Sequence, residues 1–125
     1  MVPTLLVMLG GAIGSALRYQ AGRLSTHLFG MSFPWGTLFV NVLGGLVMGL
    51  FVGWLTARSQ SAEALRLFVA VGILGGFTTF SSFSLETMLM IERGEWLSAI
   101  GYALVSVVVS VGALALGLML MRPAT

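Results

Sequence analysis

Four stretches of this chain, residues 2–20, 35–57, 65–91 and 96–121, run nearly free of charge for long enough to cross a bilayer. A transmembrane helix needs roughly 20 predominantly apolar residues. Hydrophobic residues make up 58% of the chain and charged residues only 8%, whereas a soluble domain carries about a quarter charged. The mean hydropathy of +1.04 agrees. The expected fold is therefore an all-α integral membrane protein, one four-helix transmembrane unit over residues 1–125 with both termini on one side. There is no cysteine, which excludes disulfides and thiolate metal sites. The single histidine, His27, lies near an expected loop, and no His/Glu cluster has metal-ligand spacing. A net charge of +2 is too small to argue for nucleic acid as a partner. The first apolar run lacks a basic leader and flows into a full span, so no cleaved signal is expected.

The joints between spans carry the polar residues: Arg23-Leu24-Ser25-Thr26-His27 through Pro34, then Arg58-Ser59-Gln60-Ser61, then Glu92-Arg93-Gly94-Glu95. Trp35, Trp54 and Trp96 fall near span ends, where interfacial indoles belong. Arginines in the loops set orientation. Arg58, Arg66 and Arg122 lie on the side of the termini, and Arg18, Arg23 and Arg93 on the other. This balance, with no lysine to break it, predicts dual topology, in which one chain inserts both ways and pairs with its inverted twin. If Arg18 is intramembrane and not counted, a weak bias remains. Glycines and alanines recur at helix-packing spacing: Gly10 and Gly14; Gly45, Gly49 and Gly53; Gly72 and Gly76; Ala113 and Gly117. Such faces let helix backbones approach closely, and oligomerisation follows naturally.

One span is not ordinary lipid-facing helix. The segment from Gly75 to Glu86 has a diglycine, five hydroxyl side chains, Phe80, Phe83 and a carboxylate. The glycines weaken the helix, so the third span is expected to break near its middle. Broken backbone at membrane depth survives only where protein or a cavity satisfies it. Phe80 and Phe83 share a helix face; their rings either pack or turn positive edges toward a desolvated anion. Arg18 continues the Gly10, Gly14 register, so it either points into the packed face as a functional group or snorkels to headgroups. Asn41 either bridges helices or offers its N–H donors to an anion. Tyr102, Ser106 and Ser110 form a hydroxyl stripe that lines a file of water or ion, or back-bonds to carbonyls.

Together these motifs resemble the Fluc (CrcB) family of fluoride channels over essentially the whole chain. They run from Gly10-Gly11-Ala12-Ile13-Gly14-Ser15-Ala16-Leu17-Arg18-Tyr19 through Pro34-Trp35-Gly36-Thr37-Leu38-Phe39-Val40-Asn41 to the Gly75–Glu86 signature. The resemblance implies a multi-pass protein of the bacterial inner membrane, working as an antiparallel dual-topology homodimer with two fluoride pathways at the subunit interface. It also implies a structural Na⁺, not transported, held by the carbonyls of Gly75 and Thr78 from both chains. Phe80 and Phe83 would be the pore phenylalanines, Asn41 an anion donor and Arg18 a positive group near the vestibule. Ser81, Ser82 and Glu86, with Tyr102, Ser106 and Ser110, would form the polar track. Ser82 stands where the family more often has Thr. Leu114 stops the fourth-helix stripe short of a polar residue found in some relatives.

A small dual-topology multidrug transporter, proton-coupled, is the main alternative. Such a protein needs a carboxylate in its first helix, where this chain has Arg18 and no acid. A scaffold would account for the glycine faces but not for the ordered hydroxyls. No His/Asp/Ser or metal constellation supports an enzyme.

Overall fold

The computed structural model describes residues 2–30, 32–57 and 63–121. The expected joint at residues 58–61, and with it Arg58 and Arg122 of the charge balance, lies outside the described residues. All of the regular structure described is helical: α1 (Val2–Phe29), α2 (Trp35–Ala57), a composite α3, α4 (Phe80–Glu92) and α5 (Trp96–Leu120). Helix α3 comprises Glu63–Leu65, a π-helical stretch Arg66–Leu74 and a final turn Gly75–Phe77. With α3 and α4 taken as one span, four helical spans are long and apolar enough to cross a membrane.

The first helix differs from expectation. It does not end near residue 20 but continues to Phe29, 28 residues in all, about 42 Å at 1.5 Å per residue. The run Arg23–His27 contains no breaker and continues the helix, with Arg23, Thr26 and His27 on the side of one cavity. The stop comes at Gly30, whose φ of 79° lies in the left-handed region that glycine adopts without penalty. Its N–H donates to the Thr26 carbonyl at 2.8 Å.

The third span breaks, though not at the diglycine. Gly75 and Gly76 stay helical, and the two extended residues are Thr78 (ψ 160°) and Thr79 (ψ 124°). The stretch before the break is wound wide: Gly75 N–H donates to the Ala70 carbonyl, five residues back. Such π turns are rare and occur mostly at functional sites.

Packing follows the small-residue faces. Helix α1 lies chiefly on α3, and α2 chiefly on α5. The α1–α3 contact runs along Gly10 and Gly14 against Gly72, Ile73 and Gly76. At the α2–α5 contact, a Cβ added to Gly49 would strike the Leu114 carbonyl oxygen and lie 3.1 Å from Gly117 Cα. Only glycine permits that approach. The small buried core is Met90, Ala99 and Tyr102, with Phe33, Leu38, Phe83 and Ile91 packed around it. Most large apolar side chains face outward in the single chain, which suits lipid or a partner.

Candidate functional site

The break is held by side chains from two other helices. Asn41, two turns into α2, donates from Nδ2 to the Thr79 carbonyl at 3.0 Å and accepts from Thr79 N–H at Oδ1, 2.8 Å away. This cyclic pair matches the donor–acceptor order of a peptide group, and one amide proton of Asn41 remains. Arg18 of α1 reaches the same region: its Nε donates to the Gly76 carbonyl at 3.1 Å. The guanidinium therefore turns inward instead of snorkelling to headgroups. Thr79 caps α4, its hydroxyl accepting from Ser82 N–H at 3.2 Å, as N-cap threonines do. The Gly75 and Thr78 carbonyls accept no hydrogen bond among the described residues.

Three cavities surround this break. The largest, about 590 Å³, lies along the α1 face of Arg18, Arg23, Thr26 and His27, with Thr37 and Val40 of α2 and Thr79 and Ser82 opposite. Two arginines give it a cationic wall.

A second cavity of about 300 Å³ lies on the other side of Thr79, lined by Asn41, Thr78, Phe80, Phe83, Ser106, Val107, Ser110 and Val111. It contains no charged side chain. Phe80 and Phe83 meet at 5.6 Å between ring centroids, and Phe80 is 77% exposed in the single chain. Ser106, by contrast, is only 6% exposed. The Ser106 and Ser110 hydroxyls are buried without a hydrogen-bond partner. They therefore do not back-bond, unlike Thr78 to Leu74 and Thr87 to Phe83. Buried hydroxyls are normally paired. Ser106 and Ser110 are also lining residues of this cavity, so two hydroxyls without a partner in the single chain lie in its wall.

The third cavity, about 310 Å³, includes Thr37, Glu86 and Arg93 beneath the α1–α2 connection. Glu86 accepts from the Thr37 hydroxyl at Oε2 and from the Tyr102 hydroxyl at Oε1, each at 3.0 Å. Phe33 packs edge-on to Tyr102 at 5.4 Å, and Phe83 lies 5.2 Å from it.

The expected track is thus distributed. Asn41, Phe80, Phe83, Ser106 and Ser110 share one chamber, Arg18 and Ser82 line the cationic one, and Glu86 and Tyr102 form a separate cluster. Ser81 is exposed, its hydroxyl 3.3 Å from that of Thr79, and lines none of the three. Leu114, where the stripe was expected to stop, sits on the α2–α5 contact beside Gly49. Three participants went unrecognised in the sequence: Thr37, Thr79 and Phe33. Thr37 lies one helical turn before Asn41, which is the signal that marks it.

Residues 5–118 match the family described as "CrcB-like protein, Camphor Resistance (CrcB)". The chain belongs to the CrcB family. Among curated relatives, a protein of Novosphingobium aromaticivorans is 54% identical over 124 residues, covering 98% of both chains. One of Nitrobacter winogradskyi is 51% identical over 118 residues, 94% of each. One of Caulobacter sp. is 48% identical over 123 residues, 98% of this chain and 96% of its own. All three are named "Fluoride-specific ion channel FluC". In this CrcB-family chain Arg18, Asn41 and the Gly75–Glu86 segment thus meet at one broken helix.

Proposed function

We propose that two copies of this chain, inserted antiparallel, form a passive, fluoride-selective channel in the bacterial inner membrane that lowers cytoplasmic fluoride. The observation that carries this reading is the uncharged chamber at the break, whose wall includes two phenylalanines and two serines with unpartnered hydroxyls. The name shared by the relatives supports fluoride as the ion.

The chemistry follows from charge and hydrogen bonding. Arg18 and Arg23 draw anions into the outer cavity, because a cleft lined by one sign of charge raises local counter-ion concentration. The inner chamber holds the ion with hydroxyl protons and ring edges only, and conduction needs binding weak enough to release. Fluoride, small and a strong acceptor, exchanges its water for these O–H groups, whereas a larger anion fits the narrow file poorly. The exposed Phe80 and the unpaired face around it support a second chain as the far wall of the chamber.

The Gly75 and Thr78 carbonyls would hold a structural Na⁺. Hard cations take oxygen ligands, and neither carbonyl accepts a hydrogen bond among the described residues. When bound, the ion supplies fixed positive charge between the subunits. Coupled multidrug export is disfavoured by the first helix, which has no acid, and by Glu86, both of whose oxygens carry hydroxyl donors. Nothing in this chemistry turns over a substrate, so we read a channel and not an enzyme.

The test is efflux from liposomes holding purified protein. Fluoride should leave down its gradient with no proton gradient applied, and chloride should not. Equal chloride release, or a strict need for a proton gradient, would overturn the reading.

A further inference from the structure

In an unbroken α-helix each N–H donates to the carbonyl four residues back. By that rule Thr79 N–H would close onto Gly75, Phe80 N–H onto Gly76 and Ser82 N–H onto Thr78. Two of these amides are taken elsewhere. Asn41 Oδ1 captures Thr79 N–H at 2.8 Å. The Thr79 hydroxyl captures Ser82 N–H at 3.2 Å. The carbonyl between them is treated differently, since Gly76 receives Arg18 Nε at 3.1 Å. Gly76 is thus re-paired, while the carbonyls of Gly75, Phe77 and Thr78 are left with no hydrogen bond among the described residues, those of Gly75 and Thr78 because their α-helical donors are the two captured amides.

This selectivity has a physical consequence. An open carbonyl at membrane depth is costly, and two such groups flanking one turn form an oxygen-rich spot that suits a hard cation. We propose that Asn41 and Thr79 are positioning residues for that cation site: by holding the Thr79 and Ser82 amides, they keep the Gly75 and Thr78 carbonyls open. This inference rests on the Na⁺ reading above and assigns it a cause. It also gives Asn41 a second task, because its side chain lines the uncharged chamber as well. Cation site and anion route therefore share a wall made of Asn41 and Thr79. A change in either residue should register on both.

The roles are separable by chemistry. Thr79→Ser keeps the capping hydroxyl and Thr79→Val removes it. Asn41→Asp keeps the acceptor for Thr79 N–H, and Asn41→Leu does not. The experiment is a thermal melt of the purified full-length protein, titrated with NaCl against a choline chloride background at constant ionic strength. A ligand that binds only the folded state raises the melting temperature by mass action. The wild type should show a saturable rise. Thr79→Val and Asn41→Leu should need about 10- to 100-fold more Na⁺ for half the rise, as for partners that orient metal ligands. Thr79→Ser and Asn41→Asp should keep the wild-type midpoint within about threefold, the retained group still taking its amide. If one of the two disruptive variants fails to fold, the other decides. Wild-type midpoints in Thr79→Val and Asn41→Leu would overturn this inference alone. A wild type indifferent to Na⁺ would overturn the cation site itself, and the inference with it.

Discussion

Replacing Ser106 with alanine distinguishes a hydroxyl that serves a passing ion from one that serves the fold, because the two roles give stability changes of opposite sign. The Ser106 hydroxyl is buried and unpartnered, in a residue only 6% exposed. A buried hydroxyl left without a hydrogen bond costs about 1–3 kcal/mol. Alanine deletes that group and leaves a gap no larger than one oxygen, so in fluoride-free solution Ser106→Ala should be more stable by about 1 kcal/mol. Transport should move the other way. A hydrogen bond to an ion contributes about 1.5–3 kcal/mol. At about 1.4 kcal/mol per decade of rate, losing it at the barrier lowers flux about 10- to 100-fold. Thermal unfolding of the detergent-purified protein gives the first quantity, and a fluoride electrode outside loaded liposomes gives the second. A variant that is less stable by about 1 kcal/mol yet conducts like wild type would refute the reasoning, since it would mean that the hydroxyl has a structural partner.

Other perturbations test separate parts of the site. Phe83→Ile should cut fluoride efflux strongly and cost about 1 kcal/mol of stability through the lost ring contact with Tyr102. Phe80→Ile, at an exposed position in the single chain, should cut flux with little change in protomer stability; wild-type flux in both variants would return the rings to packing. Arg18→Leu should lower stability by about 1.5–3 kcal/mol, the range for a hydrogen bond from a charged group, and a melting temperature equal to wild type would show that the Gly76 contact does not matter. Gly14→Ala drives a methyl into the Ile73 carbonyl and should cost about 1–3 kcal/mol by overpacking, read as an earlier thermal transition. A C-terminal tag should be accessible from both sides of the membrane; a single fixed orientation would remove the antiparallel dimer.

The spans were legible because hydrocarbon imposes a length and a composition on any helix that crosses it. The breaks were less so. A diglycine marks where a helix is weak, but Gly75 and Gly76 stay helical, with Gly76 packed closely on Gly11 and Ser15. The chain opens at Thr78 and Thr79 because Asn41, almost forty residues earlier in sequence, supplies the replacement for a lost helical bond. No local pattern encodes that partner. Asn41 by its chemistry either bridges helices or donates to an anion, and the geometry shows its oxygen and one N–H bridging to the backbone of the broken span. Likewise the polarity of Arg23–His27 suggested a loop, when it is a turn of helix whose Arg23, Thr26 and His27 line a cavity.

The hydroxyl stripe of α5 shows how one periodic pattern divides in three dimensions. Tyr102, Ser106 and Ser110 share a face, as their spacing requires. Yet the Tyr102 proton points at Glu86, as does that of Thr37, while the two serine protons have no acceptor. A hydroxyl whose proton is committed presents only lone pairs, which repel an anion. A carboxylate beside it repels the anion further. Glu86 and Tyr102 thus form an acceptor-rich boundary, and the two serines form the donor-rich floor of the chamber with Phe80 and Phe83. Which hydroxyls are already paired is a property that the spacing of the hydroxyls does not contain.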